Sequence, residues 1–64
     1  MTPGQRIGRY VLLVDSDGMR HAIAISAALA LCELDGGGTV LMLPGGKMVR
    51  LEADLDDVLL WLNS

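Results

Sequence analysis

The sequence contains few of the side chains that build disulfides, metal centres and catalytic sites. It has one cysteine, one histidine, one tryptophan, one tyrosine and no phenylalanine. A lone cysteine excludes a disulfide within the chain. Zinc usually takes four ligands, and Cys32 and His21 are the only two soft ligands in the chain. The sequence also places no third group that would orient these two residues as a nucleophile and its base. We therefore expect no catalytic residue, no metal, no cofactor and no enzyme, but a protein that binds another macromolecule.

Basic residues are also scarce. Five Lys and Arg stand against eight Asp and Glu, which gives a formal net charge of −3. The last fourteen residues hold Glu52, Asp54, Asp56 and Asp57 and no base. Proteins that hold phosphates need clustered Lys and Arg. This charge pattern therefore disfavours direct binding to nucleic acid.

No long apolar run is present. The longest weakly charged stretch, residues 22–32, is shorter than the roughly 20 residues of a membrane-spanning helix, and no signal-peptide pattern follows Arg6 and Arg9. One free cysteine is typical of a reducing compartment. These features predict a cytoplasmic protein that does not bind a membrane.

Glycine-rich turns divide the chain, which at 64 residues predicts one domain over 1–64. Residues 1–8 are predicted to be a flexible arm and residues 9–51 a β-sheet. The turns lie at 15–18, 35–38 and 44–46, and hairpin turns are a better interpretation of them than phosphate-binding loops. Strands are predicted at 9–14, 19–25, 39–43 and 47–51. Residues 26–34 fit either a helix or a strand, and the neighbouring hairpins favour a strand.

A C-terminal helix is predicted over 54–63. Asp54 is a good N-cap, and Leu55, Val58, Leu59 and Leu62 share one apolar face. A sheet that is hydrophobic on one side needs such a cover. The predicted fold is α+β: a small antiparallel sheet of four or five strands with the helix packed on one face.

Several other residues have a structural interpretation. Asp15 and Asp17, together with Glu52 and Asp54, could form a carboxylate pair or a cation site. Solvated turn and helix-cap acids are the preferred interpretation, because the spacing at 15–18 departs from a calcium loop. Cys32 lies in an apolar run and is expected to be a buried thiol. Trp61 and the methionines are expected mainly in the core.

Two resemblances bear on function. The run ELDGGGTVLMLPGGKMVRLEADLDDVLLWL, within residues 21–62, resembles the strand–turn–strand–helix ending of FlbD-type flagellar-operon proteins and of LytTR-type domains. LytTR-type domains bind DNA through basic loops, but here only Lys47 and Arg50 are basic, so that activity is not carried over. In size, acidity and lack of catalytic motifs the chain also resembles small phage-encoded inhibitors of the anti-CRISPR type.

These features together predict a non-enzymatic inhibitor in the host cytoplasm, which blocks the nucleic-acid-binding site of a larger protein or ribonucleoprotein complex. An acidic surface would face that partner's basic groove. The predicted contact residues are Glu33, Asp35, Glu52, Asp54, Asp56 and Asp57. The same acids could instead serve only to keep an apolar chain dissolved. The alternatives for function are a flagellar-type regulatory module and a homodimeric structural protein.

Overall fold

The computed structural model describes residues 3–63 and has α+β architecture with six antiparallel strands and one C-terminal helix. The elements are β1 (Arg6–Ile7), β2 (Tyr10–Val14), β3 (Arg20–Ala24), β4 (Ala30–Glu33), β5 (Thr39–Leu43), β6 (Lys47–Leu51) and α1 (Leu55–Asn63). Short 3-10 turns occupy Ile25–Ala27 and Pro44–Gly46. The predicted fold class and C-terminal helix are confirmed.

The strands form two sheets, so the prediction of one sheet of four or five strands is wrong. One sheet has the order β1-β2-β3 and the other β4-β5-β6. Two local features shape this arrangement. Gly8, with φ 59°, makes the tight turn that adds β1 to β2. The 3-10 turn at Ile25–Ala27 then leads the chain away from β3, and Ile25 and Ala27 pack against the core.

Residues 6–7 are strand β1, within the segment predicted as an arm, and residues 1 and 2 lie outside the described part of the chain. The region left open between helix and strand contains both a 3-10 turn and β4. The strands predicted at 39–43 and 47–51 have those bounds in the structure. Turn residues at both ends of these segments explain the agreement.

The core lies between the two sheets and is closed by α1. Its fully or nearly fully buried members are Val11, Leu13, Ile23, Leu41, Val49, Leu51 and Val58. Thr39 is buried among them, and its hydroxyl donates a hydrogen bond of 2.9 Å to the Ala53 carbonyl. This bond satisfies a polar group that would otherwise destabilise the core, and it fixes the chain just before α1.

Helix α1 starts after Asp54, whose carbonyl accepts the Val58 N–H at 3.1 Å. Val58 is fully buried, whereas Leu59 is 42% exposed. The apolar face of the helix is therefore centred nearer Val58 than predicted. At the other end of α1, Gly4 lies against the Trp61 ring, and an Arg6 guanidinium nitrogen donates to the Trp61 carbonyl at 3.1 Å.

Candidate functional site: an acidic groove

An open groove of about 860 Å³ lies where the β2–β3 turn, the β4–β5 turn and the end of β6 meet. The first turn contributes Asp15 and Asp17, and the segment after β6 contributes Glu52 and Asp54. These four carboxylates come from separate parts of the sequence. The fold therefore concentrates negative charge on one surface.

Two contacts hold the β2–β3 turn against β6. The Ser16 N–H donates to the Arg50 carbonyl at 2.8 Å, and the Ser16 hydroxyl approaches the same oxygen at 3.2 Å. A β-bridge joins Asp15 to Leu51 beside them. These contacts connect the two sheets and fix the positions of the acids on either side of the groove.

Gly38 places the opposite wall. Its φ is 95°, in the region that side chains rarely adopt, and a Cβ built on it would lie 2.9 Å from the Leu51 carbonyl oxygen. Only glycine satisfies both the backbone angle and the close approach. The β4–β5 turn can therefore pack directly against the end of β6.

Asp15 is the most constrained acid in the groove. One carboxylate oxygen accepts the backbone N–H groups of Asp17 and Met19 at 2.9 Å each. The other oxygen lies 2.7 Å from Nε2 of His21. An ionised carboxylate only accepts hydrogen bonds, so Nε2 carries the proton. The His21 hydrogen bond, followed by that of Met19, lowers the pKa of Asp15 below its ordinary value of 3.8.

Most of this negative charge is not neutralised within the protein. Among residues 3–63 the only salt bridge joins His21 and Asp15. Asp17, Glu52 and Asp54 are exposed, and the sole Lys or Arg lining the groove is Arg50. Like charges grouped on a concave surface produce a field that attracts cationic groups. The groove is therefore suited to a basic ligand.

The six acids predicted from the sequence are all exposed. Glu52 and Asp54 line the groove. Asp56 and Asp57 occupy the first turn of α1, directly after it. Glu33 ends β4, and Asp35 begins the turn whose glycines form the opposite wall. The groove thus brings two of the six together, and the other four lie in segments adjoining it.

Asp15 and Asp17 are absent from the predicted contact residues, because solvated turn acids were the preferred interpretation over a carboxylate group shared with Glu52 and Asp54. Their place in a groove depends on hydrogen bonds from Ser16 to Arg50, a residue 34 positions later in the sequence. No local pattern indicates that contact. The Asp-Gly dipeptide at 17–18 predicts the turn but not what the turn packs against.

A second, apolar groove of about 500 Å³ separates the β3–β4 connection from α1. Leu29 and Leu59 line it and are 67% and 42% exposed. Cys32 is also exposed, contrary to the expectation of a buried thiol. Met19 and Met48, expected in the core, are more than half exposed. Cys32 is uncovered because β4 lies at the edge of its sheet. Met19 and Met48 are uncovered because each lies beside a turn.

Comparison with protein-family models, curated proteins and solved structures finds no match to this chain. Within residues 3–63, no group of three or more His, Cys, Asp or Glu side chains is placed to hold a metal ion. No helix in that range is long and apolar enough to cross a membrane.

Proposed function

We propose that this protein is a non-enzymatic inhibitor of the anti-CRISPR type, which binds a larger nucleic-acid-binding protein through its acidic groove and the neighbouring first turn of α1. The observation that carries the proposal is the convergence of Asp15, Asp17, Glu52 and Asp54 on one open surface with little neutralising charge. A surface of this kind is complementary to a protein groove lined by Lys and Arg. Occupying such a groove excludes DNA or RNA from it.

Complementary charge mainly accelerates association and selects the orientation of the partner. Exposed ion pairs add little energy individually, about 0.2–1 kcal/mol each. Several acids on one surface act together, so the expected interaction depends strongly on salt. Dissolved salt screens exposed charges that lie more than about 8 Å apart at physiological ionic strength.

The first test measures binding of a labelled Lys/Arg-rich peptide by fluorescence anisotropy, with a Glu-rich peptide as the negative probe. The Asp17→Asn/Glu52→Gln variant removes two exposed charges of the groove and should bind roughly tenfold more weakly, as expected for the loss of two exposed pairs. A matched control is Ile7→Lys/Met42→Lys, which also changes the net charge of −3 by +2 but at exposed sites outside both grooves. If both variants weaken binding equally, net charge rather than the acidic surface is responsible.

The second test uses a nucleic-acid-binding protein that the parent chain captures from a bacterial lysate. The parent should displace a DNA or RNA oligonucleotide from that protein, and the displacement should weaken as salt rises. The Asp56→Lys/Asp57→Lys variant should fold, as judged by circular dichroism, and fail to displace. If this variant inhibits as well as the parent at low salt, the charge-mimicry proposal is wrong.

The apolar groove beside Leu29 and Leu59 favours a second candidate function: a regulatory module of the flagellar type, which binds a protein partner without mimicry. This function predicts capture that is nearly independent of salt. It also predicts that Leu29→Lys, rather than the Asp56 and Asp57 changes, abolishes capture. The same lysate experiment therefore separates the two candidates.

A further inference from the structure

Strand β3 is an edge strand whose outer side carries unpaired backbone groups. It pairs with β2 on one side and has no strand neighbour on the other within residues 3–63. Arg20 and Ala22 are exposed and Ala24 is half-buried. Open edges of this kind are templates for pairing with another strand, and proteins often protect them with Pro, Lys or bulges. β3 contains no Pro, no Lys and no bulge in its register with β2, and its one charged Lys or Arg side chain, Arg20, lies at its first position.

The hydrogen bonds at both ends of the β2–β3 ladder define which β3 residues face outward. Asp15 N–H donates to the Met19 carbonyl at 2.9 Å, and Ile25 N–H donates to the Arg9 carbonyl at 3.2 Å. Bonded pairs alternate along an antiparallel ladder, so His21 and Ile23 make the bonds to β2. The N–H and C=O groups of Arg20, Ala22 and Ala24 consequently point away from the sheet.

We propose that this edge pairs with β3 of a second copy of the chain, antiparallel and about a two-fold axis through Ala22. Ala22 then faces Ala22 of the second copy, and each Arg20 faces an Ala24. All three outward-facing residues of each strand form bonded pairs, which gives about six interchain hydrogen bonds. The result is one continuous six-stranded sheet built from two β1-β2-β3 sheets.

A second copy fits this edge because the pairing centred on Ala22 uses all three outward-facing residues of both strands and places each Arg20 opposite a small, uncharged Ala24. Moving the register by two residues places Arg20 opposite Ala22 and leaves Ala24 opposite the turn residue Gly18, so a pair is lost. Moving it further places Arg20 opposite Arg20, and like charges directly opposite are destabilising. The small Ala22 side chain at the axis also allows the backbones to approach closely.

Charge is compatible with this arrangement although each copy is acidic. The two acidic turns at Asp15–Asp17 precede Arg20 and lie at opposite ends of the paired strands. Five paired residues separate them by about 14 Å, which exceeds the screening length of about 8 Å at physiological ionic strength. Their mutual repulsion is therefore small.

The area available predicts a weak dimer. The chain exposes 4305 Å², and a standard stable interface takes about 800 Å² from each partner, almost a fifth of this surface. One five-residue strand edge covers less than that. We therefore expect a reversible dimer that forms as concentration rises from about 10 µM to about 1 mM, the range of weak association.

The experiment is sedimentation velocity of the full chain over that range, together with nuclear magnetic resonance of the backbone amides. The mass should rise from 6.8 kDa toward twice that value. The amide signals of Arg20, Ala22 and Ala24 should change most on dilution. Ala22→Pro should abolish dimerisation by removing an outward donor, which the β2–β3 ladder does not use. Ala22→Lys should do the same by placing like charges at the axis.

The control is Met42→Lys, which adds the same charge at an exposed position in β5 and should dimerise like the parent. Circular dichroism shows whether each variant is folded, and the lysine variant keeps the test valid if the proline variant unfolds. A parent chain that is monomeric at about 1 mM, or a dimer that folded Ala22→Lys leaves intact, would overturn the proposal. Neither outcome depends on the acidic groove.

Discussion

Nε2 of His21 lies 2.7 Å from a carboxylate oxygen of Asp15, across the turn that joins β2 to β3. This bond connects the base of the hairpin to the wall of the acidic groove. The other oxygen of Asp15 holds the turn itself through the N–H groups of Asp17 and Met19. One side chain therefore shapes the turn and contributes charge to the groove.

The ionisation of Asp15 should make stability dependent on pH. Because its pKa in the folded protein lies below the ordinary value of 3.8, ionised Asp15 stabilises the fold above that value. The contribution is lost as pH falls through the folded pKa. In Asp15→Asn the amide oxygen can still accept the turn's N–H groups but does not titrate. Thermal melts from about pH 5 downward should therefore fall less steeply in Asp15→Asn than in the parent.

Asp17→Asn is the control for that prediction, because the Asp17 side chain is exposed and makes no hydrogen bond among the described residues. Its melts should follow the parent's decline. Parallel curves for the parent and Asp15→Asn would show that folding does not lower the pKa of Asp15.

Val58 should contribute more to stability than Leu59, although leucine is the larger residue. Val58→Ala removes apolar groups from a fully buried site and should lower the free energy of unfolding by about 2 kcal/mol. Leu59 is 42% exposed, so Leu59→Ala should cost about 1 kcal/mol or less. Urea titration of both variants measures the difference. The reverse order would mean that α1 is rotated relative to the structure described.

Gly38→Ala should destabilise the protein more than Gly36→Ala. Both glycines have positive φ, 95° and 84°, but a Cβ at Gly36 meets nothing within 4 Å. Gly36→Ala therefore carries only the backbone term of about 1–2 kcal/mol. Gly38→Ala adds the collision with the Leu51 carbonyl, for a total of about 3 kcal/mol. Equal losses in chemical denaturation would show that the β4–β5 turn does not press on β6.

The sequence predicts the parts of this fold that depend on neighbouring residues. Gly36–Gly38 and Pro44–Gly46 bound the strand Thr39–Leu43, and Asp54 precedes the helix as expected. The division into two sheets depends instead on how the turn at Ile25–Ala27 redirects the chain. Each strand pairs with a sequence neighbour, but whether β3 also pairs with β4 depends on how the two sheets pack, which local patterns do not encode.

The residues of the candidate site also differ in whether the sequence alone reveals them. Glu52 and Asp54 could be found from charge alone, because no base interrupts the acids after position 51. Asp15 and Asp17 join them only through the contact of Ser16 with Arg50. The exposure of Cys32 was equally hidden, because an apolar run of sequence does not show which strand will lie at the edge of a sheet.

The contact between Gly4 and Trp61 has a consequence for the connectivity of the chain. Because Gly4 touches Trp61, the described backbone returns close to where it starts. The segment at Ala28 and Leu29 joins the two sheets, and no hairpin crosses it. A circularly permuted chain, opened there and joined through a short linker from Asn63 to Pro3, would retain every hairpin. The order of the two sheets in the gene is thus interchangeable in principle, and the fold is specified by two separate three-stranded units and the helix that closes them.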